Sequence, residues 1–178
     1  MAMHPRTVSH LGTTYDLTHL GQKLAPLHWR CRDSLVREFS IRVRFADHCY
    51  TETLVGAPPV GAHCILRPSD PRIFHPKRHA MSCHLPALID AFFLKPGSTI
   101  AQTERHNWST FVMSLPVPMH AGEKYFIFMN LRPIKAKDGP IPGRIDLFVE
   151  SAYPRTTPII VFQRKPFGRV VEELLQGK

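Results

Sequence analysis

Along the chain the spacing of apolar residues changes several times, and each change predicts an element. The clearest alternation runs from Phe39 to Phe45. Phe39, Ile41, Val43 and Phe45 fall on one side of a strand, and Ser40, Arg42 and Arg44 on the other. Further on the period becomes helical: Met81, Leu85, Leu88 and Phe92 share one helical face. Pro76 suits a first helical position, where its missing N–H costs nothing. Lys95 suits the negative end of the dipole, and Pro96–Gly97 stop the helix. The spacing therefore predicts a helix over about 76–94. Pro86 removes the N–H that would bond the Ser82 carbonyl, which predicts a kink there.

After the helix the pattern returns to strands. Thr110–Leu115 is one, and Lys124–Leu131, apolar almost throughout, reads as central. Arg144–Val149 points Ile145, Leu147 and Val149 inward, and Pro158–Phe162 is a further strand. Asp138–Gly139 is a turn signal between the second and third of these. Residues 168–176 read as a short C-terminal helix with Val170, Val171, Leu174 and Leu175 on its buried side. Near the start, Tyr15, Leu17 and His19 alternate as a short edge strand, His63–Leu66 is another short strand, and residues 21–34 show no clear period. The composite is an α+β fold: a mostly antiparallel sheet of about five to six strands with one main helix (about 76–94) packed on it and a short C-terminal helix. Residues 1–13 read as a flexible N-terminal tail and 14–178 as a single globular domain.

Composition changes this picture in one respect. Of 178 residues, 43% are hydrophobic and 21% charged, which is ordinary for a folded domain. The net charge of +9 and the pI near 9.8 are not ordinary. They favour an anionic partner, with nucleic acid first among them. No uncharged apolar run is long enough to predict a membrane helix. Cys31, Cys49, Cys64 and Cys83, in a sequence showing no secretory signal, are expected to be reduced, which places the protein in a cytoplasm.

Candidate chemistry gathers on the basic residues. Arg42 and Arg44 make a strand face suited to polyanion, with a solvated face as the plain alternative. Lys77 and Arg78 fall in the first turn of the predicted helix, preceded by Arg72 and His75. Cations there oppose the helix dipole, and a bound phosphate would reverse that conflict. Arg105, His106, Asn107 and Trp108 form a polar–aromatic run; Trp108 is a candidate for base stacking and Arg105 for phosphate contact.

Histidines at His48, His79 and His106, with Lys77, Arg78 and Arg105, supply the residue types of a metal-independent ribonuclease: acid, base and cations for the phosphorane. The alternative is a zinc-stabilised interaction module. His75, His79 and Cys83 recur every four residues on one helix, and a fourth ligand would come from His48, Cys49 or His106. Lys77 and Arg78 weigh against a dication at that place.

Neither a Gly-x-Ser-x-Gly elbow nor a phosphate-binding glycine loop occurs. Asp47, Glu52 and Asp70 are the only acids near the basic centre, too few for a two-metal nuclease. The sequence thus points to binding of RNA or single strands without a cofactor, with zinc required only by the alternative.

Overall fold

The computed structural model describes residues 5–104, 107–112, 115–136 and 139–177. The chain begins with a hairpin of β1 (Thr7–His10) and β2 (Thr13–Asp16), followed by a 3-10 turn at Thr18–Leu20. Then come β3 (Lys23–Arg30) and β4 (Val36–Phe45). A second 3-10 turn at Asp47–Cys49 leads to β5 (Thr51–Thr53), β6 (Cys64–Ile65) and β7 (Arg72–Phe74), which form a small sheet in the order β5-β7-β6. Helices α1 (Pro76–Ser82) and α2 (Leu85–Leu94) follow. The second half supplies β8 (Thr99–Glu104), β9 (Asn107–Val112), β10 (Lys124–Ala136), β11 (Gly139–Arg155), β12 (Gln163–Pro166) and α3 (Phe167–Leu175).

The main sheet has seven strands in the order β12-β8-β9-β10-β11-β4-β3. Every pairing in it is antiparallel except β11 with β4. The apolar strand β10 is the central strand of the sheet. Helices cover one face only. Leu85, Ile89 and Phe92 of α2 and Phe167, Val170 and Val171 of α3 join one core with Ile41, Val43, Ile127, Met129, Leu131, Ile145, Leu147 and Val149. Alternation along each strand then sends the intervening residues to the opposite, helix-free face.

Several expectations need correcting. The sheet is wider than five to six strands because β3, β8 and β12 carry no clean alternation. β3 is an edge strand that turns Leu24 and Pro26 toward solvent, a position where proline is tolerated. Pro158–Phe162 is not a strand; Pro158, Ile159 and Val161 instead line a cleft against β9 and β10.

Residues 7–10, expected in the tail, are tied down by β2 and bury Val8 and His10. Leu17 and His19, expected to continue an edge strand, lie at and within the first 3-10 turn. The main helix is two helices, broken at Cys83–His84 just ahead of Pro86, where the Ser82 carbonyl lacks its helical donor. Asp138, the first residue of the expected turn, lies outside the described residues. Among those described, no helix is long and apolar enough to cross a membrane.

Candidate nucleic-acid interface

The register of the main sheet fixes what its helix-free face carries. One row across the strands reads Asn107, Asn130, Phe148, Arg44, and the next reads Arg132, Asp146, Arg42, Leu24. Beyond them Arg144 sits beside Ser40. Toward the other end, Phe126 faces Tyr153, and Lys124 faces Arg155. Arg164 joins through Ala101 and Ser109, which pairs with Phe128. The face therefore interleaves arginines with aromatic rings.

The rings and cations are in contact. Phe126 and Phe128 stack at 6.1 Å, and Phe128 and Tyr153 at 5.4 Å, with interplanar angles near 22° and 23°. Arg44 lies over Phe148 at 4.9 Å, Arg155 over Phe126 at 5.8 Å, and Arg78 over Tyr153 at 5.1 Å from the margin of the sheet. Each such pair contributes about 0.5–2 kcal/mol and holds an otherwise mobile guanidinium in place. Phe128, Phe148 and Tyr153 remain half-buried. Phe126 is buried and lines a cleft of about 240 Å³ with Lys124, Arg164 and Ile159.

Arg42 and Arg44 do share this face, opposite the buried Ile41 and Val43. Both bond the carboxylate of Asp146, Arg42 through Nε at 2.8 Å. Burial pushes the Asp146 carboxyl up, but hydrogen bonds and charge from Arg44 and Arg42 outweigh it and hold the group below the usual carboxylate range. One anion thus offsets part of the charge of two cations. Arg132 and Arg144 make no ion pair among the described residues.

The expected phosphate cluster at the helix start is dispersed. His75 is the N-cap of α1, and its Nδ1 accepts from the Arg78 backbone N–H at 3.2 Å. That bond removes one of the donors an anion would use. The Arg78 guanidinium turns away to the carbonyls of Thr51, at 2.8 Å, and His48. Arg72 is buried and bonds the Thr51 carbonyl and hydroxyl, Thr53 and Asp70. Sequence spacing cannot separate an arginine that serves backbone carbonyls from one that serves a ligand. Lys77 alone of that run makes no hydrogen bond or ion pair among the described residues.

The histidine set is likewise separated. His48 pairs through Nε2 with Asp70 at 2.8 Å. His79 bonds the Asp16 carbonyl at 2.8 Å and packs against Tyr15, Phe74 and His19. The side chains of His48 and His79 share no partner, and Arg105 and His106 lie outside the described residues. Trp108 is buried and pairs with Met129 on the helix-covered face, so it packs in the core and is not exposed for base stacking. Of the expected metal set, His79 and Cys83 come together, but His75 does not join them; His19 takes its place.

Most residues of the face escape a reading of the sequence. Phe126 and Phe128 sit in a segment that reads as continuous apolar strand, which hides the open side; Phe148 falls on the outward side of Arg144–Val149, and Tyr153 lies beyond the predicted strand. The usable signal is Lys124, Phe126, Phe128 and Arg132 at even spacing, interrupted only by Asn130 and carried on by Arg144, Phe148, Tyr153 and Arg155.

Comparison with curated proteins gave no match, and none was found among solved structures. A family model, described as the YjaZ family, matches residues 7–174. That range spans the β1–β2 hairpin, the whole main sheet and nearly all of α3, and the chain belongs to the YjaZ family.

Proposed function

We propose that the helix-free face of the main sheet binds single-stranded nucleic acid, RNA in the first instance, and that it does so in the cytoplasm. The observation that carries the reading is the interleaving itself: the half-buried rings of Phe128, Phe148 and Tyr153 stand among Arg42, Arg44, Arg132, Arg144 and Arg155. Unpaired bases stack on aromatic side chains whatever their sequence, while arginines track the phosphates. A duplex hides its base faces and would meet only the cations. The net charge of +9 supports association with a polyanion, and the four unpaired cysteines suit a reducing compartment.

Binding is the function proposed. Of the two described histidines expected to be catalytic, His48 is the one beside a carboxylate, Asp70, so cleavage of the bound strand is read in the same experiment. A labelled single-stranded RNA is titrated by fluorescence anisotropy, with a matched duplex as competitor. Phe148→Ala is expected to weaken binding by about 1–3 kcal/mol, or roughly 5–150-fold, the usual loss for one stacked base. The duplex is expected to compete less well than the single strand at equal phosphate. Equal affinity of the variant and the parent, with the variant folded by circular dichroism, would overturn the reading.

A further inference from the structure

Away from the sheet face, His19, His79 and Cys83 each present one donor atom within 4.8 Å of the other two. Three elements make this meeting. The 3-10 turn at Thr18–Leu20 is anchored by the fully buried Leu17 and Leu20. Helix α1 places His79 and Cys83 four residues apart on one face. The carboxylate of Asp16 bonds the Thr18 N–H and hydroxyl, which fixes the approach of His19.

The hydrogen bonds assign the protons on both rings. Ser82 Oγ, in a fully buried residue, donates to the His79 carbonyl at 2.7 Å. It has no second proton, so in its 2.8 Å bond with His19 the ring Nε2 must donate. His79 Nε2 faces the Asp16 carbonyl at 2.8 Å, and a carbonyl only accepts. Both rings therefore carry their proton on Nε2, and both keep the Nδ1 lone pair for another use. Metal-binding histidines show this arrangement: one nitrogen donates to a fixed acceptor and the other ligates.

We propose that His19, His79 and Cys83 bind a divalent transition metal of the zinc class, through the two Nδ1 atoms and the Cys83 thiolate. Two imidazoles and one thiolate are a borderline-soft donor set, the kind that selects zinc over magnesium or calcium. Ideal tetrahedral ligation separates such donors by roughly 3.3–3.6 Å, against the 4.8 Å within which one donor atom of each residue lies here. Cys83 is exposed, which gives the ion a path in and leaves the fourth position to water. The thiol proton passes to solvent on binding. The set differs from the one spacing predicted: His75 caps α1 and stays out, and His19 arrives from a remote turn. The ion would staple the 3-10 turn at Thr18–Leu20 to α1. This site is independent of nucleic-acid binding and stands or falls separately.

The test is titration of the full chain with Co2+, followed by the thiolate-to-metal charge-transfer absorption, alongside zinc content by elemental analysis. One equivalent of Co2+ is expected to produce the band, and zinc is expected to displace it. Cys83→Ser should abolish the band and Cys64→Ser should leave it. His75→Asn, which retains a capping side chain, should also leave it. His19→Gln should weaken Co2+ binding at least tenfold; should that variant fail to fold, the exposed position of Cys83 keeps Cys83→Ser decisive. No band in the parent protein, or a band unchanged in Cys83→Ser, overturns the site. A band lost in His75→Asn overturns the ligand set.

Discussion

Asp146→Asn separates the two roles that a charged sheet face can have. In the native protein the carboxylate is mostly buried, holding Arg42 and Arg44 from the neighbouring strand. The amide keeps the shape and loses the charge. Hydrogen bonds to a charged group contribute about 1.5–3 kcal/mol. Arg42 is about a third exposed, so solvent screening reduces its share, and a total loss of about 1–3 kcal/mol follows. For a domain of this size that lowers the melting midpoint by roughly 2–12 °C.

The same change removes a carboxylate set among the arginines and releases both toward phosphate. Affinity for single-stranded RNA should rise roughly 2–5-fold, from removal of about one repulsive surface charge. The log–log salt dependence should steepen by about 0.7 for each further phosphate that the freed arginines neutralise.

The pH dependence gives a further check. The folded carboxyl titrates below its ordinary value of 3.8, so its contribution is present above that value and disappears as pH falls through the lower folded one. Melting midpoints of parent and variant should therefore converge in acid. The assays are thermal melting over pH and anisotropy at two salt concentrations. Lower stability together with lower affinity would refute the reasoning, because Asp146 would then be shaping the binding face rather than opposing its charge.

Two other substitutions test the packing and one corrected role. A Cβ on Gly168 would lie 2.3 Å from Cε3 of Trp29, whose indole N–H bonds the buried Glu172, so Gly168→Ala must displace the ring. Overpacking of that kind costs about 1–3 kcal/mol, more than the ~1 kcal/mol an alanine adds to helix propensity, and thermal melting should show a net loss. Trp108→Phe should leave RNA affinity unchanged in anisotropy and alter stability by less than about 1 kcal/mol in denaturant unfolding. The buried Nε1 of Trp108 has no hydrogen-bond partner among the described residues, and its removal offsets the small cavity.

What is legible in the sequence follows from which residues carry a one-sided signal. The alternation of Phe39 to Phe45 and the spacing of Met81, Leu85 and Phe92 are one-sided, and those side chains are buried as expected. Val170 and Val171 likewise place α3 on the core. β10 reads as central because it is apolar on both faces, yet the same property conceals that Phe128 faces away from the helices. β3 is invisible because Leu24 and Pro26 point out while Leu27 points in.

The helix start misleads for a different reason. Arg72 and Arg78 sit where an anion would suit them, but the short β5 and the turn before it present carbonyls that no spacing rule anticipates. The meeting of His19 with His79 and Cys83 depends on how the N-terminal hairpin docks on α1. Only long-range geometry decides that.

The most direct test of the sheet face is photocrosslinking of bound single-stranded RNA, with the attached peptides mapped by mass spectrometry. Crosslinks are predicted in Lys124–Arg132 and Arg144–Arg155, at Phe128, Phe148 and Tyr153. Crosslinks confined to Arg67–His84, or none at saturating RNA, would contradict it.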